Sequence, residues 1–462
     1  MEGKMYQIDF NHPIHIFFMG IGGISMSGLA EILLSEGFRV SGSDRQKSPL
    51  TEALSEKGAA IYYGQKKENL ASAPDLIVYT SAIREDNPEF IAGNELGIPF
   101  LTRAQLLGQM MKNYKIPIAV SGTHGKTTTT SMLSQILLNA DTDPTLSIGG
   151  IYQAIGGNIR VGGSDYFVTE ACEYTNSFLS FFPKVGIILN IEEDHLDFFK
   201  DLDDIRNSFH EFAKLLPAGG TLVINGDIPH VEQITDSLSC EVVTFGTSSC
   251  DYVPSNITYD EFGHPSFDLK GPDGKTRSYA LRVPGLYNVY NAAAAVATAE
   301  LLGIDAQIIR EALSDFKGTD RRFEYKGQMN GITIIDDYAH HPTEITATLH
   351  AAQNYPHKTI WCVFQPHTYS RTKAFLPEFA EALSIADKIV LADIFAAREK
   401  DTLGISSETL RKEIENRGHE CYYFPTFAEI ENFLIENCTK GDLLITMGAG
   451  DVVKIGENLL RK

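Results

Sequence analysis

The chain has 462 residues, 43% of them hydrophobic, which is material for several buried cores. Its formal charge of −21, from 39 basic and 60 acidic residues, argues against nucleic acid or an anionic membrane as a partner. No apolar run approaches the ~20 residues of a membrane span. Met1 to Asn11 carries no signal-like apolar block, and the six cysteines form no Cys-x-x-Cys pair. These features fit a cytoplasmic protein without membrane insertion, built from about three domains. Any anionic substrate must be held by local basic clusters and backbone N–H groups, against the global charge.

The first block opens with an apolar strand, Ile14 to Met19, followed by a glycine turn from Gly20 to Gly28 and a helical run from Leu29 to Glu36. A second strand at Phe38–Val40 ends near Asp44, and a third pattern at Leu76–Tyr79 ends at Thr80-Ser81-Ala82-Ile83. The turn contains Gly20, Gly22 and Gly23, but Ser25 stands where a dinucleotide-binding turn has its third glycine. It suits a diphosphate, and both a dinucleotide and a nucleotide sugar remain open. Asp44 suits a ribose or base contact.

The second block carries the strongest motif. Ile116 to Val120 reads as a strand, Gly122-Thr123-His124-Gly125-Lys126-Thr127-Thr128 follows, and Thr129 to Leu138 is helix-compatible. Strand, glycine turn and helix form a phosphate cradle. N–H groups face the phosphates, Lys126 adds a point charge and the Thr127 hydroxyl can ligate Mg²⁺. Val120 replaces the motif's usual first glycine, so the loop is a shortened variant. Further strands are read at Tyr166–Thr169, Val185–Leu189 and Thr221–Ile224, with a less regular, β-rich stretch at Thr235–Thr276. Polar segments after two of these strands offer Glu170 and His195 as further Mg²⁺ ligands, His195 being the less natural for a hard cation.

The third block follows the polar stretch Phe316 to Asp320. Its strands are read at Ile332–Ile335, Ile360–Phe364, Lys388–Leu391 and Leu443–Thr446. After the first comes Asp336-Asp337-Tyr338-Ala339-His340-His341-Pro342, and after the second Gln365 to Arg371. Adjacent histidines converge poorly on one metal, so no zinc is expected. Arg371 is a candidate carboxylate clamp, because its planar fork pairs bidentately. Strands alternate with helices throughout, which gives an α/β fold with largely parallel sheets.

Taken together, the Gly20–Gly28 turn, Gly122–Thr128, Glu170 with Asn176-Ser177-Phe178, Asn190-Ile191 with Asp194–Asp197, Tyr287-Asn288 with Asn291, Arg321–Glu324 and Asp337–Pro342 resemble the Mur ligase family over essentially the whole chain. The resemblance implies a Rossmann-like first domain (residues 1–107) holding a UDP-sugar, a central P-loop ATPase domain (108–318) and a Rossmann-like C-terminal domain (319–462) receiving the amino acid. His124 and the double histidine point, within the family, to ligation of L-alanine to UDP-N-acetylmuramate with ATP and Mg²⁺, through an acyl phosphate.

On this numbering the resemblance implies that Gly20, Gly22, Gly23, Ser25, Asp44, Ser81, Ala82 and Ile83 line the UDP pocket. Gly122 to Thr128, Asn288, Asn291, Arg322 and Asp337 would bind ATP. Thr127 and Glu170 would hold one Mg²⁺ and His195 a second. Asn176 and Ser177 would face the sugar, and Tyr338, His340 and Arg371 the incoming amino acid. Lys126, His124, Glu170 and His195 would act in catalysis. Alanine-adding relatives read Glu-Ala-Asp-Glu-Ser-Asp where this chain has Glu170-Ala171-Cys172-Glu173-Tyr174-Thr175, so two acids are missing here. Relatives often carry an arginine in place of Thr368, which leaves Arg371 as the main clamp. The stretch Ser208-Phe209-His210-Glu211 shows no lysine for carbamylation. Two other readings remain: ligation of a recycled tripeptide to the same nucleotide sugar, and a nucleotide-binding regulatory protein without ligase activity. Oligomeric state is not set by the sequence.

Overall fold

The computed structural model describes residues 5–80, 83–247, 249–397, 399–401 and 403–461. Ser81 and Ala82, expected in the UDP pocket, lie outside the described residues.

The first sheet is all parallel, from β1 (His15–Met19), β2 (Arg39–Asp44), β3 (Ala60–Tyr63), β4 (Leu76–Tyr79) and β5 (Phe100–Thr102), in the order β3-β2-β1-β4-β5. Strand order reverses at β1, so the crevice of this sheet opens at the carboxyl end of β1, where Gly20 begins the glycine turn. The 12-residue helix Ile24–Ser35 leaves that turn and buries Leu29, Ile32 and Leu33.

The central sheet contains β6 (Ile116–Ser121), β7 (Thr145–Tyr152), β8 (Gly157–Arg160), β9 (Tyr166–Ala171), β10 (Val185–Ile188), β11 (Thr221–Asn225) and β12 (Glu241–Phe245), ordered β12-β11-β10-β6-β9-β7-β8. All neighbours are parallel except the β7–β8 hairpin. Order reverses at β6, which places the phosphate loop at this sheet's own switch point. Val120 pairs with Glu170 on β9 and with Ile187 on β10, so the chemistry-bearing ends of three strands lie side by side.

The irregular stretch resolves into β12 and a separate antiparallel sheet of β13 (Val253–Tyr259), β14 (Pro265–Lys270) and β15 (Thr276–Ala280). This small sheet buries Phe267, Leu269 and Tyr279 in the same cluster as the helix Leu286–Leu301. That helix carries Ala292 to Ala295, all fully buried, and small side chains let it pack closely on the phosphate-loop helix Lys126–Asn139.

The third sheet comprises β16 (Glu324–Met329), β17 (Ile332–Asp337), β18 (Ile360–Phe364), β19 (Lys388–Leu391), β20 (Cys421–Tyr423) and β21 (Leu443–Met447), ordered β16-β17-β21-β18-β19-β20 with an antiparallel edge at β16. Three α/β layers therefore present the carboxyl ends of their strands toward a common centre. Parallel packing is the expected outcome of strands that are apolar on both faces, and β17, β18 and β21 are almost wholly buried.

One apolar cluster runs without a break from Ile16 and Leu107 in the first domain to Phe178, Phe209 and Phe212 in the second. Helix Arg103–Met111 passes through residue 107 and lies against the turn Tyr174–Ser180, so the division drawn at 107/108 falls inside an element. A Cβ at Gly108 would sit 1.9 Å from the carbonyl oxygen of Ser180. Backbone meets backbone there, so the contact needs glycine. We expect Gly108→Ala to destabilise the protein by about 1–3 kcal/mol through this clash, in spite of alanine's better helix propensity. A urea midpoint equal to or above that of the wild type would contradict the assignment.

Candidate active site

Gly125 ends the phosphate loop in the left-handed region (φ 82) and caps the helix whose first residue is Lys126. A Cβ there would approach Asn291 Oδ1 to 2.5 Å, so both conformation and space require glycine. Asn190, just beyond β10, fixes the loop. Its Oδ1 accepts from His124 N at 2.7 Å, its Nδ2 donates to His124 O at 3.1 Å, and its own carbonyl accepts from Thr123 N at 3.1 Å.

The Lys126 ammonium donates to the carbonyls of Gly122 and Thr123 and to Glu173 Oε2, the last at 3.0 Å. Burial opposes its charge, but the adjacent Glu173 carboxylate outweighs burial and holds the proton more tightly than in water. Glu170, the penultimate residue of β9, accepts from Gly149 N at 2.5 Å. His195 has a left-handed backbone (φ 53), and its Nε2 lies 3.7 Å from Asp194 and 3.9 Å from Glu173. Burial, with Arg371 and Lys126 nearby, lowers its proton affinity, so the imidazole is neutral near pH 7 and has a lone pair to offer.

These groups share one cavity of about 550 Å³, lined by Thr123 to Thr127, Glu170, His195, Arg322, Tyr338 and His340. Ile24, from the glycine turn of the first domain, closes one side of it. An adjoining cavity of about 240 Å³ is lined by His124, Gly125, Thr128, Asn288, Asn291, Arg322 and Asp337. Its amides are pre-set: Asn288 donates to Pro284 O at 2.8 Å and accepts from Asn291 at 3.0 Å. Asp337 accepts from the backbone of Phe323 and Ala339, yet burial lifts its carboxyl to about 6 against the pull of Arg322.

Other expected residues lie elsewhere. Gly22 N donates to Asp44 Oδ2 at 2.8 Å, so Asp44 supports the glycine turn from beneath with one of its oxygens. Ile83 closes a turn onto Thr80 O and packs in a small apolar cluster. Asn176 accepts from Ser208 and Ser177 donates to Tyr174 O, so both side chains hold a local turn and neither lines the cavities described. Arg371 is already occupied: its Nε and Nη2 donate to Asp194 Oδ1 at 3.1 and 2.9 Å.

Family models match residues 15–115 (Mur ligase family, catalytic domain), 120–299 (Mur ligase middle domain) and 321–450 (Mur ligase, glutamate ligase domain). The chain belongs to the Mur ligase family. It is 59% identical over 459 residues to the UDP-N-acetylmuramate–L-alanine ligase of Lachnospira eligens, covering 99% of this chain and 100% of that protein. It is 54% identical to the same enzyme of Clostridium botulinum over 96% of each chain. The crystal structure of UDP-N-acetylmuramate-alanine ligase from Thermotoga maritima superposes with a TM-score of 0.82 at 29% identity, covering 97% of this chain and 98% of that one. A murein peptide ligase from Psychrobacter arcticus gives 0.72 at 26% identity, with coverage of 97% and 98%.

Three acids of this Mur ligase escaped the sequence reading. Glu173 anchors Lys126, three residues beyond the recognised Glu170. Glu192 lies 3.5 Å from His124 Nε2 and accepts from Thr343 at 2.6 Å. Glu344 accepts from His124 Nδ1 at 3.1 Å and from the backbone of His340 at 3.0 Å. Its place three residues after His341, at a Pro-led helix start, is a capping-box signal that ties its side chain to the helix start but does not reveal its partner His124. His341 is that helix's N-cap: Nδ1 accepts from Thr343 N, so Nε2 carries the proton and donates to Glu193 O at 3.0 Å.

His124 therefore sits between two carboxylates from different domains. Burial works against its charge, but Glu344 and Glu192 prevail and raise it from 6.5 to about 9. A raised folded-state value contributes stability in full below about 6.5, and that stability is lost as pH rises through about 9. Thermal unfolding of the ligand-free protein should accordingly show a falling midpoint from pH 6.5 to 9 that Glu344→Gln flattens. Parallel curves for the two proteins would remove His124 from the interface balance.

Proposed function

We infer that this Mur ligase joins L-alanine to the lactyl carboxylate of UDP-N-acetylmuramate in an ATP-dependent reaction of peptidoglycan precursor synthesis. The observation that carries this reading is identity of 54–59% with UDP-N-acetylmuramate–L-alanine ligases across nearly the full length of both chains. The muramate carboxylate attacks the γ-phosphorus of ATP, releasing ADP and leaving an acyl phosphate. The amine of alanine then adds to the acyl carbon, and phosphate leaves from the tetrahedral intermediate.

The site's own groups fit these demands. Carboxylate and triphosphate repel, and Lys126 brings a fixed positive charge to the loop that faces both. The amides of Asn288 and Asn291, beside Arg322 and Asp337, form the smaller cavity, which suits the nucleoside end of ATP. His124 lies where the two cavities meet and is placed to contact the reacting carboxylate. Thr127, Glu170 and His195 border one cavity and supply a hydroxyl and a carboxylate that fit one Mg²⁺ and a neutral imidazole, the softest donor, for a second. Bound there, the cations would offset negative charge on the phosphates. Tyr338 and His340 face the same space from the third domain. Arg371 donates to the alanine carboxylate by sharing or releasing Asp194. Docking of the third domain excludes water from a hydrolysable acyl phosphate.

A cytoplasmic location belongs to this reading, since ATP and a UDP-sugar are drawn on and all six cysteines are free thiols. No helix among the described residues is long and apolar enough to cross a membrane.

Phosphate release with UDP-N-acetylmuramate and each of the twenty amino acids tests the assignment: L-alanine should stimulate most, and a recycled-type tripeptide should not. Stimulation by the tripeptide alone would shift the reading to a peptide ligase. Lys126→Ala should lower turnover by roughly 10³-fold or more with the circular dichroism spectrum unchanged. Glu170→Gln should raise the Mg²⁺ concentration needed for half-maximal rate about tenfold. Near-normal turnover of Lys126→Ala would refute its role.

A further inference from the structure

Arg103 begins the helix Arg103–Met111, at the seam between the first and second domains. Its Nη1 donates to Ser25 Oγ at 3.1 Å, the hydroxyl in the first turn of the helix that leaves the glycine turn. That is its single side-chain hydrogen bond among the described residues, and no carboxylate there lies within ion-pair reach. A guanidinium has five N–H donors, so most of this fork has no protein acceptor. The side chain is half-buried: burial disfavours its charge, and Cys172 and Glu170, close by on the ATP side, favour it. Cys172, Glu170 and Ile24 all border the cavity that holds Lys126. Lys126, Arg371 and Arg321 are matched by Glu173, Asp194 and Asp336, and Arg322 stacks on the Tyr338 ring.

A half-buried guanidinium between a glycine turn and a phosphate loop, with most of its donors unpaired by protein, is suited to receive an anion. We propose that Arg103 binds an anionic group of the sugar nucleotide where that substrate crosses from the first domain to the second. The inference rests on the ligase reading. Two groups of this substrate share the chemistry, the diphosphate and the lactyl carboxylate, and both must pass this seam. Ser25 positions the fork through Nη1, and Nη2 and Nε are left without a protein acceptor among the described residues.

Titration calorimetry decides the matter with three probes on the full-length protein: UDP-N-acetylmuramate, UDP-N-acetylglucosamine, which has the diphosphate but no lactyl acid, and a non-hydrolysable ATP analogue. Arg103→Gln should weaken UDP-N-acetylmuramate by about tenfold or more and leave the ATP analogue within about twofold. Arg103→Lys, which keeps the charge and loses the fork, should recover part of the loss, a rescue that a purely structural role would not give; it also carries the test should the glutamine variant fold poorly. Loss for both sugar nucleotides assigns the diphosphate, and loss for UDP-N-acetylmuramate alone assigns the carboxylate. If wild type binds UDP-N-acetylmuramate and both variants match it within about twofold, the inference falls while the ligase reading stands. If wild type does not bind it, both fall.

Discussion

A strongly acidic chain that must gather anions has to concentrate positive charge at one point and keep it there when no ligand is present. Here that is done by pairing. Lys126 rests on Glu173, Arg371 on Asp194, and His124 between Glu192 and Glu344. Each carboxylate cancels the desolvation of a buried cation that would otherwise destabilise the fold. On the proposed reading, triphosphate and carboxylates that arrive would compete for the same donors, and recognition would be exchange of one anion for another. The net charge of −21 is compatible with such a site because the exchange is local.

The pairing also ties domain position to charge. Asp194, Glu192 and the Glu193 carbonyl follow β10 in the central domain, whereas Arg371, Thr343 and His341 belong to the third. The ends of parallel strands are where such loops project, and two switch points in different sheets face the same space. That is why residues separated by well over a hundred positions meet without any loop of unusual length.

What could be read from sequence alone follows from range. Strand–turn–helix around Gly122–Thr128 is a local pattern, and its glycines, lysine and threonine lie where the pattern puts them. Glu170 and His195 were reachable because strand ends in a parallel sheet are neighbours. Asn288, Asn291 and Asp337 came only with the family resemblance, since nothing local distinguishes a helical asparagine that faces a cavity from one that caps a turn. Asn176 and Ser177 also came with the resemblance, and their side chains are engaged within their own turn and on Ser208. Glu173 and Glu344 were hidden because their partners are remote along the chain. A buried acid is recognised by its cation, and cation and acid are matched only once the domains have packed.

The seams of the molecule differ in kind. A single apolar cluster spans the first and second domains, while the clusters of the third contain only its own residues. Separating the former would expose hydrocarbon, at roughly 25 cal/mol per Å². The latter seam is sewn largely with ions and hydrogen bonds, whose charged groups regain their hydration on separation. Dissolved salt, which screens charge but not grease, therefore bears on the third domain's seam more than on the seam between the first two.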